Sequence, residues 1–375
     1  MIEYPIYKLK DVSMIIAGQS PESKYYNTVG DGLPFFQGKA DFGDLYPTIR
    51  TYCSQPTKIA EKDDILLSVR APVGPTNLSP GKVCIGRGLS AIRPSEKLDL
   101  RYLLYYFRQY EAYLREKGTG TTFKAITQDI LKNLEIPVPP LTEQKRIVAR
   151  IEELFSELDA AEKDLNLVKK KLLQYRRAVV KEALTPALHP EIQWTETVIE
   201  NVCDCLDSRR KPVKKSERSS GSGIYPYYGA NGITGMIDDY LFDEELVLVV
   251  EDETFVGRVK PFSYIIRGKS WVNNHAHILR GKDGIITNEY LNYLLSYYPF
   301  LPLTTGTTGR KKLTKKALMN APIHVAEYKH QSTIVSEIES RLSVCDKIEE
   351  TVNTALQEAE AMRQSILKQA FAGEL

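Results

Sequence analysis

The sequence predicts a mixed α/β (α+β) protein in which two globular modules are separated by a long antiparallel pair of coiled-coil helices, with a pseudo-twofold internal repeat. Three observations predict this class. The chain has 375 residues, 42% of them hydrophobic, which is too long for one ordinary core. It matches itself at a constant offset of 187 residues. The best-preserved part of each copy carries apolar residues alternately three and four positions apart.

Residues 1–140 form the first predicted module. Short runs rich in β-forming residues, such as 65–69, are separated by Gly, Pro, Asp and Asn turns. Residues 100–116 have instead the apolar periodicity of an amphipathic helix. The module is therefore predicted to combine several short strands with one main helix.

Residues 141–186 are predicted to be one long helix. Prolines 137, 139 and 140 end the preceding strand, and Pro186 closes the helix. At about 1.5 Å per residue the helix is a rod of roughly 65 Å. Its apolar ladder is the expected coiled-coil seam: Ile147, Ile151, Leu154, Leu158, Ala161, Leu165, Val168, Leu172, Tyr175 and Val179.

Residues 187–327 repeat the order of parts of the first module, with an amphipathic helix at 288–298, and residues 328–375 repeat the long helix. Arg341 is the one break in the second apolar ladder. Identical pairs at the 187-residue offset include Gln144/Gln331, Ile151/Ile338, Asp159/Asp346, Glu162/Glu349 and Arg176/Arg363. Neither helix is expected to be stable alone, so we expect the two to pair. About 140 residues lie between them, enough for a domain that reverses the chain, and this favours an antiparallel pair.

The outer helix faces also carry apolar residues, namely Val148, Leu173, Val180 and Val335. Two interpretations are open. These residues either dock helices of other chains or simply widen the seam.

Composition limits the class of protein further. No apolar run approaches the ~18 residues of a membrane span, and the N-terminus lacks the pattern of a signal peptide. Five cysteines form no disulfide framework. We therefore expect a cytoplasmic protein with reduced thiols and no membrane partner.

No catalytic or metal motif is complete. Residues 268–270 read Gly-Lys-Ser, but Ser263 replaces the first glycine of a P-loop. The glycine-rich turn of a methyltransferase is absent. Cys203, Cys205, His275 and His277 lack usual zinc spacing. The acids Glu251, Asp252 and Glu253 are interpreted as a solvated turn. We predict no catalytic residue, no metal and no cofactor.

Cationic loops are the remaining candidates for a functional surface. Residues 209–218 contain six basic residues and 310–316 contain five. Arginine pairs with guanine, Gln and Asn pair with adenine, and lysine pairs with phosphate. An ordinary solvated face is the competing interpretation. By loop position and chemistry the predicted DNA contacts are Gln37, Lys39, Arg70, Arg87, Lys124, Arg209, Arg210, Lys211, Asn231, Arg310, Lys311 and Lys312.

A family resemblance adds to this interpretation. Residues 133–162, "NLEIPVPPLTEQKRIVARIEELFSELDAAE", closely resemble the central conserved region of specificity subunits of type I restriction-modification systems. "GLPFFQGKADFG" (32–43), "DILLSVRAPVG" (64–74) and "GRGLSAIRP" (86–94) resemble that family's target-recognition domains. "ILKQAFAGEL" (366–375) resembles its distal conserved end. The second module departs further, with "NNHAHILRG" in place of "GRGLSAIRP".

The resemblance implies a non-catalytic subunit with target-recognition domains at 1–140 and 187–327, a central conserved helix at 141–186 and a distal conserved helix at 328–375. It implies binding to double-stranded DNA at a bipartite asymmetric site. Its implied partners are two methyltransferase subunits and ATP-dependent restriction subunits, so that the complex carries adenine-N6 methyltransferase and nuclease activity. Two alternative functions remain open: an independent modification or cleavage enzyme with an unrecognised site, and a coiled-coil scaffold with protein-binding modules. Whether the isolated chain dimerises through its helix faces is left open.

Overall fold

The computed structural model describes residues 4–118, 125–214, 223–253, 255–306 and 311–375. The chain divides into two compact units, one of Met1–Leu165 with Thr354–Leu375 and one of Asn166–Asn353. Within the described ranges, no helix combines the length and apolarity that a membrane crossing requires. The mixed strand and helix content and the two long helices confirm the predicted fold class.

Unit 1 contains two main sheets. The strands are β1 (Ile6–Lys8), β2 (Ser13–Ala17), β3 (Tyr26–Asn27), β4 (Leu33–Phe36), β5 (Tyr52–Cys53), β6 (Ile59–Ala60), β7 (Ile65–Ser68), β8 (Thr76–Leu78), β9 (Val83–Ile85), β10 (Leu89–Pro94) and β11 (Glu135–Pro137). One sheet has the strand order β2-β10-β7-β8 and the other β3-β5-β4-β9-β6, while β1 pairs with β11. The helices are α1 (Leu9–Val12), α2 (Leu100–Gln109), α3 (Glu111–Lys117), α4 (Gln128–Lys132) and the first part of α5 (Leu141–Ala183).

The core of unit 1 forms around α2. Asp99 caps this helix by accepting hydrogen bonds from the backbone N–H groups of Arg101 and Tyr102 at 2.9 and 3.0 Å. The rings of Tyr102 and Tyr106 are buried and lie 5.1 and 5.4 Å from the ring of Phe371. The C-terminal end of the second long helix is thereby part of this core.

Unit 2 repeats the two-sheet arrangement. Its strands are β12 (Trp194–Val198), β13 (Cys203–Cys205), β14 (Tyr225–Gly229), β15 (Gly232–Ile237), β16 (Phe242–Asp243), β17 (Leu246–Val250), β18 (Asp252–Glu253), β19 (Ser263–Ile266), β20 (Lys269–Val272), β21 (Ala276–Gly281), β22 (Lys311–Lys312) and β23 (Pro322–Ala326). The sheets have the strand orders β13-β21-β17-β19 and β15-β14-β20-β16, with the pairs β12-β23 and β18-β22. Its helices, besides the second part of α5, are α6 (Ile199–Val202), α7 (Asn288–Ser296), α8 (Lys315–Met319) and the first part of α9 (Tyr328–Ala372).

A buried glutamine explains one of the repeated identities. The Gln144 side chain accepts from the backbone N–H of Asp99 at 2.7 Å and donates to the carbonyls of Lys97 and Pro139 at 2.9 and 2.8 Å. Gln331 makes the same three bonds in unit 2, accepting from Thr287 N–H at 2.9 Å and donating to Ile285 and Ala326 at 2.8 and 3.0 Å. Asp99 and Thr287 are the N-caps of α2 and α7. Each glutamine therefore fixes the start of a long helix to the main helix of its own module.

The long helices run antiparallel within each unit. In unit 1 the Arg363 guanidinium lies 2.5 Å from Asp159 and 3.2 Å from Glu162. In unit 2 Arg176, its equivalent at the 187-residue offset, lies 2.6 Å from Asp346 and 3.0 Å from Glu349. The repeat thus preserves one ion triad twice, and each triad fixes the helix register in its unit.

The predicted seam is only partly buried. Ile147, Ile151 and Val179 are buried, whereas Val168, Tyr175, Ile348 and Met362 are exposed by 38, 48, 39 and 53%. Two helices that pack against each other bury only part of each ladder, and the remaining positions stay exposed to solvent. At the break in the ladder, Arg341 bonds to Glu182 at 3.1 Å and lies over the Tyr175 ring.

The outer-face residues have a third role that neither interpretation anticipated. Val148 is buried in the core of unit 1, and Val180 and Val335 are buried in the core of unit 2. These residues pack the helices onto their own globular modules. Leu173 is half-buried.

Candidate functional site

Four of the predicted contact residues surround one cavity in unit 1. Gln37, Lys39, Arg70 and Arg87 line a space of about 290 Å³. The other lining residues are Gly38, Ser68, Ala71 and Gly88, so no acidic side chain is among those described around it. Lys124, the fifth predicted contact of this module, lies outside the described residues.

Sheet topology brings these four residues together. Gln37 and Lys39 follow β4, Arg70 follows β7, and Arg87 lies between β9 and β10. Because β4 pairs with β9 and β10 pairs with β7, the ends of all four strands meet. The backbone N–H of Gly86 donates to the Phe36 carbonyl at 2.8 Å, which fixes this meeting point.

Two glycines allow the close approach. A Cβ on Gly88 would lie 2.3 Å from the Gln37 carbonyl oxygen, and one on Gly86 would lie 3.1 Å from the Gln37 Cγ. No side chain fits at Gly88 without moving the backbone. The sequence Gly-Arg-Gly therefore places Arg87 beside Gln37 and leaves the arginine side chain exposed.

The cavity carries three unneutralised cations. Lys39, Arg70 and Arg87 are exposed, and their side chains form no ion pair with another described residue. The Arg70 turn is held instead through its backbone, because the Ser68 hydroxyl donates to the carbonyls of Arg70 and Pro72 at 3.1 and 2.8 Å. Free guanidinium groups beside an amide suit an anionic, hydrogen-bonding ligand such as phosphate or a guanine edge.

In unit 2 the predicted basic cluster is largely neutralised. Arg209 lies 3.3 Å from Glu244, donates to the Leu241 carbonyl at 3.0 Å and packs over the Phe242 ring. Lys312 lies 3.0 Å from Glu251. Lys211 is exposed and Lys311 is half-buried, while Arg310 lies outside the described residues.

Arg210 belongs to an internal ion network. Its guanidinium bonds to the Glu251 carboxylate, to the Ala276 carbonyl at 2.8 Å and to Asp207 at 3.1 Å. The buried His277 ring lies 2.6 Å from Asp207 through Nδ1 and 2.8 Å from the Leu313 carbonyl through Nε2. Arg210 thus holds several loops of unit 2 together and has no free donor face comparable to that of Arg87.

The two carboxylates of this network are held in the charged form. Burial raises the pKa of Asp207, but hydrogen bonds from His277 and from the backbone N–H of Ile278, together with the charge of Arg210, outweigh burial. The pKa of Asp207 therefore lies below its ordinary value. Burial likewise raises the pKa of Glu251, and bonds from Arg210 and Lys312 bring it below its ordinary value. Asp207, Glu251 and His277 could present ligand atoms to a cation, but both acids are already bonded to basic side chains. The interpretation of Glu251 as part of a solvated turn was wrong, because it is buried at the centre of this network.

Asn231 is exposed but oriented. Its Oδ1 accepts a hydrogen bond from the Arg258 guanidinium at 2.9 Å, so its amide offers chiefly its N–H donors to a ligand.

Sequence reasoning missed Asn274 and His275, both exposed in the turn before β21. The signal was present, because aligning 273–281 with 86–94 places Asn274 opposite Arg87.

Comparison with known proteins gives a consistent family. The model of the type I restriction modification DNA specificity domain matches residues 1–170 and 191–358. The MjaX specificity subunit of Methanocaldococcus jannaschii is 44% identical over 157 residues, which are 42% of this chain and 37% of that protein. The type I restriction enzyme StySPI specificity subunit of Salmonella potsdam is 24% identical over 373 residues, covering 90% of this chain and 80% of the relative. The match to the first of these relatives spans under two fifths of its length.

Among solved structures, the chain is similar to the HsdS subunit from Thermoanaerobacter tengcongensis, with 48% identity over 43% of this chain and 39% of that one and a TM-score of 0.40. The family model matches both modules and most of both long helices. The chain therefore belongs to the family of type I restriction modification DNA specificity domains.

Proposed function

We propose that this chain is the DNA sequence-specificity subunit of a type I restriction-modification complex and is not itself catalytic. The observation that carries the proposal is the cavity of Gln37, Lys39, Arg70 and Arg87. On converging loops it gathers an amide and three cations that form no ion pair with another described residue. This is the chemistry that base edges and phosphates require. Family membership supports double-stranded DNA as the ligand.

The target is proposed to be a bipartite, asymmetric site. Each unit carries its own pair of sheets, so each can present one reading surface. The surfaces differ, because unit 1 offers free arginines where unit 2 offers amides and ion-paired side chains. Two different surfaces on one chain are suited to two different half-sites, with the long helices setting the gap between them.

The partners are proposed to be two methyltransferase subunits and, for cleavage, ATP-dependent restriction subunits, all acting in the cytoplasm. The helices leave apolar side chains uncovered at Val168, Tyr175, Ile348 and Met362. A contiguous patch of exposed apolar side chains is typical of a protein–protein interaction site, and we propose that these helix faces dock the partner subunits. In the isolated protein the same residues would support a dimer.

Arg87→Ala tests the proposed surface directly. The complex of the full chain with its methyltransferase subunit should bind a duplex containing its site at least ~5-fold more weakly, since one base-reading pair contributes about 1–3 kcal/mol. Lys62→Ala removes an exposed charge that does not line the cavity and serves as the matched control. Equal affinity of the Arg87 variant and the wild type would remove the cavity from the interface. Salt-insensitive binding of both would favour the scaffold function instead.

A further inference from the structure

We propose that Asn274 is the base-reading residue of unit 2 and that it reads adenine. The inference rests on the proposed function and adds to it a specific residue and base for the second half-site. Its basis is a backbone equivalence between the two units, in which the same turn carries Arg87 in one unit and Asn274 in the other.

Hydrogen bonds around the turn establish the equivalence. In unit 1, the backbone N–H of Gly86 donates to the Phe36 carbonyl at 2.8 Å, and that of Val69 donates to the Gly88 carbonyl at 2.9 Å. In unit 2, the backbone N–H of Asn273 donates to the Tyr228 carbonyl at 3.0 Å, and that of Glu251 donates to the His275 carbonyl at 3.1 Å.

The strands that lead into the two turns are paired in the same way. Phe36 lies opposite Ile85 in a parallel pair, as Tyr228 lies opposite Val272. Gly86, Arg87 and Gly88 therefore correspond to Asn273, Asn274 and His275, which is the 187-residue offset of the long helices.

The turn in unit 2 is built by a side chain instead of by glycines. Asn273 is buried, and its Oδ1 accepts from the backbone N–H of His275 at 2.8 Å. This bond closes a turn with Asn274 at its tip. Asn274 is exposed, and its side chain forms no hydrogen bond with another residue in the described part of the chain.

Two other exposed polar side chains of unit 2, those of His275 and Asn231, already form hydrogen bonds. His275 Nδ1 lies 2.6 Å from Asp252. Asp252 occupies the position of Arg70, because Asp252 pairs with Lys312 as Arg70 pairs with Ala125, and these two partners are 187 residues apart. Asn231 Oδ1 accepts from Arg258. Of these exposed groups, Asn274 is the one whose amide keeps both its donor and its acceptor available.

The change of side chain implies a change of base. A guanidinium presents two donors, which match O6 and N7 of guanine. A free carboxamide presents one donor and one acceptor, which match N7 and N6 of adenine. The position that Arg87 reads as guanine in one half-site should correspond to an adenine in the other.

The test is the recognition motif of the full chain assembled with its methyltransferase subunit, mapped from methylated adenines for wild type, Asn274→Ala and Arg87→Ala. With Asn274→Ala, one adenine of one half-site should lose its preference by ~5- to 150-fold while the other half-site is unchanged. Arg87→Ala should relax one guanine in the opposite half-site.

Equilibrium binding to duplexes differing only at the affected base pair gives the second measurement, which remains informative if a variant methylates nothing. Loss of discrimination at an adenine in Asn274→Ala supports the inference. Retained discrimination at every position, or relaxation at a base other than adenine, overturns it while a wild-type bipartite motif leaves the proposed function standing. Absence of any wild-type motif overturns both.

Discussion

The arginines of unit 1 differ in whether an acidic side chain neutralises them, and this decides which of them are available to a ligand. In unit 1, Arg93 is neutralised by Asp64, with its guanidinium 2.7 and 2.8 Å from the carboxylate oxygens. No acidic side chain among the described residues pairs with Arg70 or Arg87, so both keep their charge available to a ligand. The difference lies in position, since Asp64 is buried at the start of a core strand while the cavity lies beyond the strand ends.

Lys39 should act as a phosphate contact. We expect Lys39→Ala to weaken binding to specific and unrelated duplexes alike and to reduce the slope of log K against log salt by about one, because a single phosphate contact releases about one counterion. Fluorescence anisotropy over a range of salt concentrations measures the slope. An unchanged slope would place Lys39 outside the footprint, and Lys62→Ala controls for overall charge.

The ion network of unit 2 should make stability depend on acid pH. The folded pKa values of Asp207 and Glu251 lie below their ordinary values of 3.8 and 4.5. Their contribution to the unfolding free energy is therefore complete above about pH 5 and is lost as pH falls through the folded pKa values.

Glu251→Gln should weaken this acid dependence and lower stability at pH 7 by ~1–3 kcal/mol, because it removes the charge that Arg210 and Lys312 face. Urea unfolding at pH 7 and pH 4 measures both effects. Glu196→Gln, an exposed strand position, is the control. Parallel pH profiles for wild type and Glu251→Gln would contradict the role assigned to the network.

At the scale of elements, the long helices are fixed to their modules by the duplicated glutamine. Gln144→Ala should lower the unfolding free energy by about 3 kcal/mol, since it leaves Asp99 N–H and two carbonyls without partners. Lys145→Ala changes an exposed neighbour on the same helix and should have little effect. Urea denaturation compares them, and equal midpoints would show that the bonds of Gln144 are replaceable.

The elements also show what sequence can predict. The two long helices were predictable because their apolar periodicity is local and is repeated at a fixed offset. Gln37, Lys39, Arg70 and Arg87 were each chosen as DNA contacts by loop position and residue chemistry, and their meeting around one cavity was not predicted. The network around Arg210 was not predicted either, because Asp207, Glu251 and His277 come from separate strands or loops and meet only through the sheet. The exposure of Tyr175 and Met362 was not predicted, because the apolar periodicity shows which residues share a helix face but does not show which other elements pack against that face.

At the scale of the whole molecule, duplication has kept the framework and changed the surface. The identities at the 187-residue offset include the glutamine that fixes each helix and the ion triad that sets its register. The turn that carries Arg87 and Asn274 keeps its backbone bonds and not its side chains. This is the pattern expected of a protein that varies its target while preserving its assembly.

The proposed function requires that one chain supply two different DNA-reading surfaces. This can be tested by expressing the chain with its methyltransferase subunit in a methylation-free bacterium and mapping methylated adenines genome-wide. We expect an asymmetric motif of two unlike half-sites with a fixed gap, which disappears when this chain is omitted. A continuous motif, two identical half-sites, or methylation that persists without the chain would contradict it.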